Sequence, residues 1–138
     1  MTEREILFRG KRTDNGEWVE GGYVPLDTDS GYEYIVEPFN YASTLSALDL
    51  IKLNSILVIP ETVGQYTGIT DKNGVKIFEG DIVKHYNAVY EISYITKYTR
   101  FAGRNSGCIF AGIPLGNTEV IGNIHDNPEL LKGGEDND

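Results

Sequence analysis

Along most of this chain, short runs of β-branched and aromatic residues are separated by Gly, Asn and Pro, a pattern that predicts many short strands. The opening "ILFRGKRTDNGEWVEGGYVPL" reads as strands over 6–9 and 17–24, joined by a turn at Asp14, Asn15 and Gly16. Asn-Gly supplies the positive φ angles of such a turn at low steric cost. "YEYIVEPF" alternates bulky and acidic residues and predicts a third strand stopped by Pro38. "ILVIP" is a short apolar run ended by Pro60, and its β-branched residues favour a buried strand. Five further strand-like runs follow: "VGQYTGI", "KIFEGDIVKHY", "AVYEISYITKY", "GCIFAGI" and "TEVIGNIH". Their regular spacing points to antiparallel strands in a small barrel or sandwich.

One stretch before the C-terminus changes period. In "STLSALDLIKLNS", Leu45, Leu48, Leu50, Ile51 and Leu53 recur at roughly helical spacing, which predicts a helix over 43–53 capped by Ser43 or Thr44. In "HDNPELL", Asp126 or Asn127 caps a short helical turn with Pro128 at its first position. The tail "KGGEDND", 132–138, lacks apolar residues and is expected to be disordered. The fold class is therefore mainly β with minor helix. It forms one domain over 1–131, with a hairpin, strand and helix part at 1–60 and a small β-barrel part at 61–131.

"GITDKNGVKIFEGDIV" holds the densest backbone punctuation and invites a ligand-loop reading. A phosphate loop needs Lys-Ser/Thr and a helix after its glycines, whereas Gly80 is followed by Asp81 and a strand-like run. The glycines at 64, 68, 74 and 80 never fall into a dinucleotide fingerprint. A calcium loop starting at Asp71 would place Lys76 where its glycine belongs and Ile82 where its closing Glu belongs. The residues fit a hairpin instead: a turn from Thr70 to Gly74, a bulge or second turn at Glu79-Gly80, and Asp81 accepting local backbone hydrogen bonds. Thr13-Asp14-Asn15-Gly16 and the Trp18–Val24 run echo this stretch, either as a duplicated unit or as two hairpins meeting the same demands.

Composition narrows the function classes. A formal net charge of -9 disfavours unassisted binding to a nucleic-acid backbone. Cys108 is the single cysteine, no apolar run approaches the ~20 residues of a membrane span, and the N-terminus is charged where a signal peptide is apolar, so a cytoplasmic protein with no membrane partner is expected. His85, His125 and Cys108 carry no local catalytic signature and are too few and scattered for a zinc site. No enzyme activity, catalytic residue, cofactor or metal is expected. The local excess of positive charge in the second half is "TKYTRFAGRNSG", where Lys97, Arg100 and Arg104 accompany Tyr94 and Tyr98 as a candidate nucleic-acid platform. A cross-strand aromatic core beside a solvated loop accounts for the same residues.

Together, "ETVGQYTGITDKNGVKIFEGDIV" and "EVIGNIHDNPELL" resemble the signature of the YopX family, small proteins encoded by phages and prophages, and "REILFRGKRTDNGEWVEGGYV" is similar to that family's opening hairpin. The resemblance implies a largely β fold whose second half is a small, strongly bent barrel, and homo-oligomeric assembly. It carries over no enzymatic activity, cofactor or catalytic residue. The stretch 32–59 matches no motif of the family. The expected function is that of a phage or prophage accessory protein acting by binding, as a homo-oligomer or on a host or phage protein. Alternatives are nucleic-acid binding through the 94–104 region, and imitation of a nucleic-acid backbone by the acidic surface.

Overall fold

The computed structural model describes residues 4–27, 31–39 and 45–131, with the side chains of Leu26 and Asp27 left aside. The chain folds as two compact units, Met1–Gln65 and Tyr66–Asp138.

In the first unit, β1 (Phe8–Lys11) and β2 (Trp18–Asp27) form the expected hairpin, in register from Phe8↔Gly21 to Lys11↔Trp18. Gly16 takes φ 74° in the turn, and its N–H donates to the Arg12 carbonyl at 3.2 Å. β2 pairs with β3 (Tyr32–Val36), and β3 with β4 (Ser55–Val58), all antiparallel. Within the stretch 32–59, Tyr32–Val36 and Ser55–Val58 are thus built into the sheet. β4 then swings back to the end of β1, where Arg12 bridges Val58, Thr13 N–H donates to Leu57 at 3.2 Å, and Ile59 N–H donates to Lys11 at 2.8 Å. The 3-10 turn Pro60–Thr62 continues the seam, with Lys11 N–H donating to Thr62 Oγ1 at 2.9 Å. This curl encloses Val19, Ile35 and Val58, flanked by Phe8, Tyr23, Ile56 and Val63. It demands close approach at Gly21, where a Cβ would lie 2.1 Å from the Val36 carbonyl oxygen.

The helix is shorter than its periodicity predicts. α1 runs Ala47–Leu53, and its cap is Ser46, whose Oγ accepts from Asp49 N–H at 3.2 Å. This corrects the expected start; Ser43 and Thr44 lie outside the described residues. Asn54 ends the helix by donating its side-chain amide to the Leu50 carbonyl at 2.7 Å. Asp49 in the first turn and Lys52 in the last complement the helix dipole. Of the apolar set that predicted α1, Leu50 alone is buried, while Leu48 is 60% and Leu53 71% exposed.

Strand β5 (Gly64–Thr70) begins in the first unit, where Gly64 and Gln65 pair with β1. In the second unit Tyr66 and Thr70 pair with β6 (Lys76–Phe78). There follow β7 (Asp81–His85), β8 (Ala88–Ile95), β9 (Arg100–Asn105), β10 (Cys108–Phe110) and β11 (Glu119–Asn123). These five form an antiparallel sheet in the order β10-β9-β8-β7-β11. The expected barrel is corrected: β10 and β11 are opposite edges that do not pair, so among the described residues the sheet stays open. A second correction concerns "TKYTRFAGRNSG", which is no solvated loop. It supplies a 3-10 turn, Thr96–Tyr98, and then β9. Thr99 at φ 51° lets the chain reverse between them. Ile77, Val83, Ile92 and Leu115 form the core, with Tyr90, Phe101 and Val120 packed on it.

The stretch "GITDKNGVKIFEGDIV" folds as a hairpin with two turns. Gly74 has φ +83° and Gly80 φ 93°. The Gly80 N–H donates to Ile92 at 2.8 Å and its carbonyl accepts from Ile124 at 2.9 Å, which splits the run into β6 and β7. Asp81 Oδ2 accepts from Phe78 N–H at 2.7 Å, the local bond expected of it. The echo with the N-terminal hairpin is confined to the turns: Gly21 permits backbone approach, whereas its counterpart Gly80 supplies a positive φ. After β11, Asn123 Oδ1 accepts from the His125 and Asp126 N–H groups at 3.0 and 2.9 Å, leading into a helical turn at 129–131. The tail at 132–138 lies outside the described residues.

Candidate functional site

Pleating divides the residues nominated for nucleic-acid contact. Tyr94 is opposite Phe101 in the β8–β9 pair and meets it edge-on at 5.1 Å, on the face where Phe101 packs against the core. Arg100 and Arg104 are one and three residues away from Phe101 on β9, so alternation points them to the other face. Arg104 there is opposite Glu91. Lys97 and Tyr98 do come together, with the ammonium 5.6 Å from the ring centroid. The structure therefore brings together one cation and one ring of the five, at the 3-10 turn.

His85 ends β7 and Cys108 begins β10, with two strands between them. Three strand spacings amount to about 14 Å, too far for a nucleophile and its base. His125 sits in the turn after β11. Among the described residues there is no group of three or more His, Cys, Asp or Glu placed to hold a metal ion. No described helix is long and apolar enough to cross a membrane.

Away from the surface, Asp71 and Tyr23 are titratable groups set by their surroundings. Asp71 is buried, and its carboxylate accepts from Asn73 N–H (2.8 Å), Val75 N–H (2.9 Å) and Val120 N–H (2.9 Å). Burial on its own raises the acid's pKa, but the amides of Val120, Val75 and Asn73, with Lys72 nearby, outweigh it and hold the group below 3.8. Asp71 thus clamps β11 to the turn before β6. In the first unit the Tyr23 hydroxyl donates to buried Glu33, and burial, then that hydrogen bond, push the phenol up to about 12. Asp14, the counterpart of Asp71 in the echo, instead pairs with Arg12 at the surface, at 2.9 and 2.8 Å.

Two grooves stand out on the surface of the described residues. The first is an apolar groove of about 450 Å³ formed by Leu48, Ile51 and Lys52 of α1 with Val24, Tyr34 and Ser55 of the sheet. The second is a polar groove of about 430 Å³ in the second unit, lined by Lys72, Lys84, His85, Tyr86, Asn117 and Glu119. Helical periodicity signals the first. No sequence motif signals the second, because its residues come from three separate stretches of the chain and are assembled by the β11–β7 pairing.

Comparison with known proteins places this architecture. Residues 7–132 match the family model described as "YopX protein". The chain is also similar to a solved structure, protein EF1440 from Enterococcus faecalis, at 31% identity, covering 94% of this chain and 99% of that one with a TM-score of 0.56. No curated protein matches.

Proposed function

The chain belongs to the YopX family, and from that premise we propose that it is a phage- or prophage-derived accessory protein, non-enzymatic and cytoplasmic, that acts by binding as a homo-oligomer. The observation that carries this reading is the apolar face of α1. Leu48 and Ile51 are exposed beside Val24 and Tyr34, on a helix of seven residues that is too short to be stable by itself and gains from having that face covered.

Charge favours a second copy as the occupant. Asp49 and Lys52 flank the apolar residues, and two helices paired antiparallel about a twofold axis set Asp49 against Lys52 of the partner subunit and Lys52 against Asp49 of the partner subunit. Size-exclusion chromatography with light scattering tests the assembly. The full chain should run as a dimer or higher even-numbered species, and Leu48→Glu with Ile51→Glu should make it monomeric while circular dichroism stays unchanged. A strict monomer at high concentration removes the oligomer.

A further inference from the structure

We propose that the polar groove of the second unit binds a nucleoside monophosphate, with the base on Tyr86 and the phosphate between Lys72 and Lys84. The first observation is local charge. In a chain of net charge -9, this groove of about 430 Å³ gathers two lysines, His85 and the Asn117 amide against a single carboxylate, Glu119. An isolated phosphate needs such a spot, whereas a long polyanion would also meet the acidic remainder of the surface. The volume falls within the usual range for a small-molecule site.

The second observation is Tyr86. It occupies the tight turn between β7 and β8 at φ 56°, in the left-handed region where Gly or Asn is the ordinary choice and a bulky residue is strained. The residue is 86% exposed, so the strain is not offset by burial. What the conformation does is hold a bare aromatic face at the rim of the groove, braced edge-on by His85 at 4.6 Å. Such a ring offers a stacking platform for a nucleobase, whichever base it is.

The third observation is that the groove is fixed. Asp71 binds the Val120 N–H at 2.9 Å and Lys72 N–H donates to the Thr118 carbonyl at 3.0 Å, which tie the Lys72 turn to the segment carrying Asn117 and Glu119. Lys84 and Glu119 face each other in the β11–β7 register. Glu119 then repels a second negative group, which selects a monophosphate over a more highly charged ligand.

Isothermal titration calorimetry on the full chain at low salt tests the site with adenosine monophosphate, adenosine, inorganic phosphate and a short single-stranded oligonucleotide. The monophosphate should bind, with adenosine and phosphate each about tenfold weaker or worse. Lys84→Gln and Tyr86→Asn should each weaken it by about tenfold, and Glu119→Gln should tighten it. Because Asn suits the left-handed turn, Tyr86→Asn should leave thermal stability equal or higher, which separates lost binding from lost folding. The proposal is overturned if no monophosphate binding occurs at millimolar concentration, if phosphate alone binds as well, if the oligonucleotide binds more tightly, or if Lys84→Gln and Tyr86→Asn bind as the wild type does.

Discussion

Replacing Asp71 by Asn keeps the shape of the side chain and changes only what it offers to three backbone amides. The carboxylate accepts from Asn73 and Val75 through Oδ1 and from Val120 through Oδ2. An asparagine can keep the Oδ1 bonds, but its NH₂ then confronts the Val120 N–H, donor against donor. Hydrogen bonds to a charged acceptor contribute about 1.5–3 kcal/mol each when partly buried, and an orphaned amide costs about 1–3 kcal/mol. The Asn73 and Val75 amides lie in an exposed turn where water can substitute, so most of the loss falls on Val120, whose residue packs against the core. The expected destabilisation is roughly 2–4 kcal/mol, a large share of the 5–15 kcal/mol typical of a domain.

Urea unfolding followed by far-UV circular dichroism measures it. With a typical slope near 2 kcal/mol per molar, the midpoint should fall by about 1–2 M at neutral pH. Acid provides the control. Asp71 is held below 3.8 in the folded state, so its contribution is full above that ordinary value and is lost as pH falls through the lowered one. Wild type and Asp71→Asn should therefore converge on acidification. Equal midpoints at neutral pH, or a gap that does not shrink at all as the pH is lowered through and below the ordinary carboxylate range, would refute the assignment of the clamp to the ionised carboxylate.

Three further substitutions test the frame. Gly74→Ala should cost about 1–2 kcal/mol by thermal melting from φ +83° alone, since a Cβ there meets nothing within 4 Å. Gly21→Ala should be worse, disordering the β2–β3 seam because its Cβ would lie 2.1 Å from the Val36 carbonyl oxygen; amide exchange on β3 reads this directly. Tyr23→Phe leaves Glu33, only 8% exposed, without its phenol donor and should cost about 1–3 kcal/mol in urea. The phenol, raised to about 12, stabilises the fold below the ordinary 10.0 and ceases to as pH climbs toward 12, so ultraviolet titration should find one tyrosine ionising late.

Turns were the most legible part of the sequence, because Gly16, Gly74 and Gly80 carry local geometry in their own chemistry. Asp81 was legible for the same reason, its partner being Phe78, three residues away. What depends on remote pairing was not. β9 reads as a loop because Arg100, Gly103 and Arg104 are poor strand formers, yet Ala102 and Gly103 sit where a larger residue fails: a Cβ on Gly103 would meet Tyr90 at 3.0 Å. The pleat of that unrecognised strand sets Arg100 and Arg104 apart from Tyr94. The curl of the first unit, where β4 returns to Lys11, rests on bonds that no local pattern encodes.

The acidity of the chain takes a different meaning once the carboxylates are placed. Among the described residues, the acidic Glu33, Asp71 and Asp81 are buried, and two of them bind backbone amides while the third binds a phenol. Their work is to close turns and hold strands, which removes them from any surface pattern that could imitate a nucleic-acid backbone. Asp14 is neutralised locally by Arg12, and Asp49 is engaged by the Ser46 hydroxyl at 2.9 Å. Against the negative charge that remains, the groove that sets Lys72 and Lys84 against Glu119 is a local reversal of sign, and a reversal in an acidic field attracts a small anion while the surroundings exclude a large one. Size and charge selection then follow from the same arrangement, with Glu119 setting the upper limit on ligand charge.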